Sequence, residues 1–155
     1  MTQEDKDLLL KDLCGRLPYG VKAEVTNTQG YHHDNVAKKG EKTIDTLKGF
    51  DSSYNCFTIY HNNPLDWDWT CSEIDIEDIK PYLLPLSSMT EEQKKEYNFW
   101  KHEVPVCHYE YGDVVEEVEL FDSPESFEYL IENHFDYRGL IEKGLAIDAT
   151  NKNIY

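Results

Sequence analysis

The chain has 155 residues, 15 Lys+Arg against 31 Asp+Glu for a formal net charge of −16, and 13% aromatic residues, with 11 Tyr. That length suits one domain. The acidity excludes generic wrapping of duplex nucleic acid, which needs neutralised phosphates, and the aromatic, patterned composition excludes a disordered acidic tail. The charge is uneven. Residues 1–60 hold nine acids and eight bases, whereas residues 61–155 hold 22 acids and seven bases, net −15. Such asymmetry points to two faces with different partners, against the plainer reading of a solvated surface.

In chain order, Thr2 to Leu17 reads as a helix. Thr2 and Asp5 form a capping box with the shorter acid, and Leu9, Leu10, Leu13 and Leu17 make an apolar stripe of helical period. Pro18 is expected to end it. From Val21 the residues to Thr26 alternate as a strand, and Asn27 to Gly30 is a turn. Tyr31 to Asn35 is ambiguous, and 38–42 is a polar loop. Thr43–Phe50 alternates again, and Tyr54–Tyr60 is a strong β run with Phe57 and Ile59. Ser72–Ile76 is a closing strand and Glu77–Lys80 one helical turn. Short strands joined by tight turns predict a small antiparallel SH3-like β-barrel across 18–80.

Pro81 to Leu86 reads as an apolar linker stiffened by two prolines. Thr90 and Gln93 form a capping box for a helix to about Phe99. Val104–Tyr111 and Val114–Leu120 read as a hairpin around Gly112-Asp113, with helix open as the alternative for 114–120. Asp122-Ser123-Pro124-Glu125 opens a helix whose stripe is Phe127, Leu130, Ile131 and His134. Arg138–Lys143 adds a helical turn or two, capped by Gly144. Leu145–Ile147 is a last short strand, and 151–155 is expected to be loose. The whole is one α+β domain over 1–155: helix at 1–17, barrel at 18–80, acidic helix/hairpin/helix block at 81–150.

Chemistry-bearing patterns are sparse. Cys14, Cys56, Cys71 and Cys107 are widely spaced with no C-x-x-C pair, so they read as buried reduced thiols of a cytoplasmic protein rather than zinc ligands. Met1 to Asp5 is acidic and polar, which is not a signal peptide. His32-His33-Asp34 offers three ligand types, but adjacent strand residues point to opposite faces. Asp66, Asp68, Glu73, Asp75 and Glu77 lack the EF-hand spacing. Cys107-His108 diverges on a strand, there is no Gly-x-Ser-x-Gly elbow, and no Gly-x-Gly cradles a phosphate. No metal, cofactor or catalytic residue is expected.

Binding is the better-supported class. Trp67 and Trp69 share one face if extended. With Tyr54, Tyr60, Tyr109 and Tyr111 they are amphipathic aromatics of the kind that anchor interfaces. Arg138 is a further candidate binding residue, against the plainer reading that it pairs with Asp136 or caps a helix. Lys38, Lys39 and Lys42 make the first block locally basic, a modest anion or nucleotide site.

Four stretches carry a resemblance: Asp5 to Val21, which includes Gly15-Arg16-Leu17-Pro18-Tyr19-Gly20; Ile79-Lys80-Pro81-Tyr82-Leu83-Leu84-Pro85-Leu86 to Glu92; His134-Phe135-Asp136-Tyr137-Arg138-Gly139 to Ala146; and Tyr155. They resemble a family of small uncharacterised proteins of phages and prophages of gut Bacteroidales. Leu84 stands where many relatives are expected to carry a basic residue, which weakens an anion site at Pro81–Pro85. The resemblance implies a phage-borne accessory protein in a bacterial cytoplasm. The resulting expectation is a non-enzymatic protein that binds a host protein with a basic surface through its acidic block, a defence protein being one such target. The alternatives are sequestration of a nucleotide second messenger and a small enzyme without a recognisable motif.

Overall fold

A computed structural model describes residues 1–26, 40–61, 70–110 and 113–155, with backbone alone at 60–61, 70–73, 105–110 and 113–118. The class is α+β, with three α-helices and a sheet of several strands. Helix α1 (Gln3–Arg16) starts as expected: Thr2 accepts from the Asp5 N–H while the Asp5 carboxylate accepts from the Thr2 N–H. Leu9 and Leu13 are fully buried, and so are Asp12 and Arg16 beside them. The α-helix ends at Arg16, just before Pro18, as expected. The chain continues through a 3₁₀ turn, Leu17–Tyr19, and reverses on Gly20 at φ 69. Proline's fixed φ suits the first positions of such a turn.

Strand β1 (Lys22–Thr26) buries Ala23 and Val25 on one face. It is followed by β2 (Lys42–Asp51), β3 (Cys56–His61) and β4 (Thr70–Asp75), all antiparallel neighbours in turn. The β2–β3 register shifts between Leu47 and Gly49, where a Cβ would come 2.9 Å from the Thr58 hydroxyl, so glycine fits the close approach. Tyr54, expected in a strand, sits in the turn before β3 and is 70% exposed. Asn55 takes φ 53 there, a left-handed geometry that Asn tolerates. The ambiguous segment Tyr31–Asn35 lies outside the described residues.

The expected linker is a strand. After a 3₁₀ turn at Ile76–Asp78, β5 (Ile79–Pro85) pairs with β1 on one side. Its other side takes β8 (Phe135–Asp136) and β9 (Ile147–Asp148), both parallel. Apolar residues on both faces suit a strand flanked on two sides. The prolines fall where they interrupt least: pairing with β9 begins at Tyr82, after Pro81, and Pro85 is the last residue. Sheet order is β4-β3-β2-β1-β5-β8 with β9 beside β5, and no closed barrel is found among the described residues.

Helix α2 (Glu91–Phe99) carries the Thr90–Gln93 capping box. Residues 114–120 are strand rather than helix: β6 (His102–Glu110) and β7 (Asp113–Phe121) form a separate two-stranded sheet. Helix α3 (Pro124–Glu132) starts at Ser123, with reciprocal Ser123–Ser126 capping and Pro124 in its first turn. Its buried face is Ser126, Tyr129 and Leu130, while Phe127, expected inside, is 41% exposed. His134 ends the helix region at φ 59, and its carbonyl accepts the Leu84 N–H at 2.9 Å. No helix forms at Arg138–Lys143. The Asp136 carboxylate instead accepts the N–H groups of Leu140 and Ile141 at 2.9 and 2.8 Å, holding a string of turns. Those bonds satisfy amides that a helix would otherwise claim. Two apolar clusters result, one around Leu9, Leu13, Leu47, Phe57 and Ile79, the other around Met89, Tyr129, Leu130 and Phe135.

Candidate functional site

Two polar constellations and one apolar surface stand out. The first is a buried ion cluster joining α1 to the segment around β8. Arg16 donates its Nε to Asp12 Oδ2 at 2.7 Å and an Nη2 hydrogen to Oδ1 at 3.2 Å, and both side chains are fully buried. It also donates to the carbonyls of Phe135 at 2.8 Å and Ile131 at 3.4 Å. Arg138 lies 3.3 Å from Asp12, not on Asp136, and its Nε donates to the Tyr137 hydroxyl at 3.0 Å. Both guanidiniums sit over the Tyr137 ring, at 5.6 and 4.7 Å. A bidentate carboxylate with carbonyl acceptors is what a buried guanidinium needs to be tolerated. This cluster ties elements together.

The second constellation is around His134. Its ring stacks on Tyr155 with centroids 3.9 Å apart and 15° between planes. The Tyr155 hydroxyl donates to the Tyr82 carbonyl at 2.9 Å and accepts the Lys22 N–H at 3.2 Å, and Lys22 Nζ donates to the Ile154 carbonyl. So the end segment expected to be loose is anchored at Tyr155. Burial pushes the Tyr155 phenol up to about 12. Burial, followed by the charges of Arg16 and Lys22, pushes His134 down to about 4, and its Nδ1 is buried without a hydrogen-bond partner.

The apolar surface lies where α2 meets the foot of the hairpin. Tyr97 donates its hydroxyl to Asp122 at 2.6 Å; Lys101 lies 3.4 Å from the same carboxylate and 4.4 Å from the Tyr97 ring centroid. The Tyr97 hydrogen bond, with Lys101 adding to it, holds the Asp122 carboxyl below the usual range; burial and then Asp122 raise the Tyr97 phenol well above its own. Ser123 caps α3 and donates its hydroxyl to the Trp100 carbonyl. This knot fixes the junction, yet the aromatics on it face outward. Phe99 is 77% exposed and stands edge-on to the half-exposed Trp100 at 5.2 Å. Val104, Leu120 and Phe121 at the foot of the hairpin are also exposed, where the register pairs His102 with Phe121 and Glu103 with Leu120. Exposed large apolar groups gathered at one junction suit protein contact.

Lys42, expected in an anion site, is ion-paired with Glu24 at 2.7 Å. Trp67, Trp69, Tyr111, Lys38 and Lys39 lie outside the described residues, and for Tyr109 only its backbone place in β6 is described. Cys56 is buried as expected, whereas Cys14 is exposed. Among the described residues no group of three His, Cys, Asp or Glu is placed to hold a metal, and no helix is long and apolar enough to cross a membrane. A cleft of about 280 Å³ between α1 and the Ile76–Asp78 turn is lined mainly by polar groups, with Lys6 and Glu77 bridged at 2.8 Å. Sequence reading missed Phe99 and Trp100. The available signal was two adjacent large aromatics at the end of a short helix, where successive residues lie about 100° apart and cannot share one buried face.

The sequence matches no family model, and comparisons with curated proteins and with solved structures find no match.

Proposed function

We propose that this chain is a non-enzymatic binding protein, a phage or prophage accessory factor. Its acidic second block engages a basic surface on a bacterial host protein, a defence protein being the class that setting favours. The observation that carries the reading is the exposed aromatic junction of Phe99 and Trp100 at the foot of a hairpin, 102–121, with six acids and no Lys or Arg. Aromatic anchors supply buried area, and the surrounding carboxylates steer a cationic partner and repel an anionic one. Residues 18–80 serve as scaffold. Their strand order, with a 3₁₀ turn between β4 and β5, supports reading them as an SH3-like small barrel.

Capture from bacterial lysate tests this, using the immobilised chain and a variant with Glu103, Glu116, Glu117 and Glu119 changed to glutamine. The wild type is expected to retain basic proteins at low salt and release them at high salt, and the variant to retain few. An identical set on both proteins, indifferent to salt, would contradict the reading.

A further inference from the structure

We infer that the outer edge of β7 is a docking edge that takes an extended, lysine- or arginine-rich segment of a partner protein as a third strand of the hairpin sheet. The inference rests on the binding reading above and names the element used and the form of the partner. Three observations converge on it.

The first is the isolation of the hairpin. Among the described residues β6 and β7 pair only with each other. A two-stranded ribbon is marginal alone in water and gains from a third strand. Both of its outer edges present backbone donors and acceptors of the kind that templates strand addition.

The second is that the two edges are unequal. Strands β6 and β7 are joined through Tyr111-Gly112, and Glu110 faces Asp113. In a hairpin closed by two residues the closing pair is hydrogen-bonded, and pairs then alternate along the ladder. Counting back, Val104–Glu119 and Val106–Glu117 are bonded pairs, whereas Pro105–Val118 and Glu103–Leu120 are not. The outward-facing backbone groups are therefore those of 103, 105, 107 and 109 on β6, and 114, 116, 118 and 120 on β7. Pro105 has no N–H, so the β6 edge lacks a donor in its middle, a common way to blunt an edge. The β7 edge keeps every one of its donors.

The third is charge, which selects the occupant. The hairpin carries Glu103, Glu110, Asp113, Glu116, Glu117 and Glu119 and no Lys or Arg. A second copy of the chain laid along β7 would place carboxylates against carboxylates, which is unfavourable across a strand pair. A cationic strand meets the opposite charge instead. Leu120, Phe121, Phe99 and Trp100 at the foot are exposed and offer apolar contact to the end of such a strand.

The test uses the whole chain and, as probe, a short synthetic peptide of alternating lysine and valine. Its glutamate–valine counterpart is the control. Binding is followed by calorimetry at low salt. The lysine peptide is expected to bind and the glutamate peptide not. V118P places a proline directly opposite Pro105, removing an outward donor without breaking an inter-strand bond. Loss of one or two backbone hydrogen bonds is expected to weaken binding by about tenfold. E116P, on the same edge, repeats the test if V118P alone disturbs the hairpin, with amide spectra confirming the fold of each. Unchanged binding by folded V118P and E116P would overturn the edge assignment while leaving the acidic-surface reading standing. Absence of binding by the lysine peptide to the wild type would count against both. Equal binding of the two peptides, or self-association through β7, would also overturn the inference.

Discussion

Asp12→Ala is expected to lower the stability of the folded chain by about 3–5 kcal/mol, the usual cost of removing one partner from a buried ion pair. The reason is geometric. Arg16 is fully buried and makes two of its hydrogen bonds to Asp12, so alanine leaves a guanidinium in the interior hydrogen-bonded only to the carbonyls of Phe135 and Ile131. Arg138 loses the same carboxylate. For a chain of this size roughly 2–4 °C accompanies each kcal/mol, so thermal unfolding should shift down by about 10 °C. Replacing Asp12 and Arg16 together by leucine and methionine should recover part of the loss by removing the stranded charge. It should not recover all of it, because the Phe135 and Ile131 carbonyls then lose their donor. A shift of only a degree or two for Asp12→Ala would mean that the cluster is solvated and contributes little.

The second large effect is a pH dependence centred on His134. Its folded value is depressed to about 4, against about 6.5 for an unperturbed imidazole. Between those values the unfolded chain binds a proton that the folded chain does not, so stability falls as pH drops through this window. It is unaffected by this group above it. Converted at 1.36 kcal/mol per decade, the loss reaches about 3 kcal/mol near pH 4. The charged groups facing the ring agree with that sign: Arg16 from α1 and Lys22 from β1 both oppose a second positive charge. Tyr155 stacks on the ring as a neutral phenol. His134→Asn tests this, since Asn accepts the left-handed backbone of this position. Losing the ring stack should lower its stability at neutral pH. The readout is the slope: denaturant midpoints measured from pH 7 to 4 should fall more gently for the variant. Carboxylates held low, such as Asp122, contribute to both proteins and cancel in the difference. Parallel slopes would remove His134 as the cause.

Much of the local structure was legible because it is written in short-range chemistry. The capping boxes at Thr2 and Thr90 and the start of α3 at Ser123-Pro124 each rest on residues within one helical turn. So does the alternation that marks β1 and β2. What could not be read depends on partners distant in sequence. Pro81 and Pro85 look like a linker until β1, β8 and β9 are seen to flank the segment. Arg138 meets Asp12, 126 positions earlier, rather than its neighbour Asp136, which is committed to the amides of Leu140 and Ile141. Tyr155 was expected to be loose because end segments usually are, but hydrogen bonds to Lys22 and Tyr82 anchor it. Stretches 5–21 and 134–146, with Tyr155, contain most of the ion cluster and the His134–Tyr155 stack. In this fold, then, those residues tie α1, β5 and β8 together. The surface proposed for binding lies in the hairpin region, apart from these stretches.

Residue-resolved hydrogen exchange of the whole chain, with and without the lysine–valine peptide at low salt, tests the central claim most directly. The outward amides of Val114, Glu116, Val118 and Leu120 have no inter-strand acceptor in the free hairpin by the register of β6 and β7 and the alternation of an antiparallel ladder. Slower exchange at those four on adding the peptide, reversed by high salt, is the expected result. Protection appearing instead along α1 or around residues 134–148, with the four β7 amides unchanged, would contradict it.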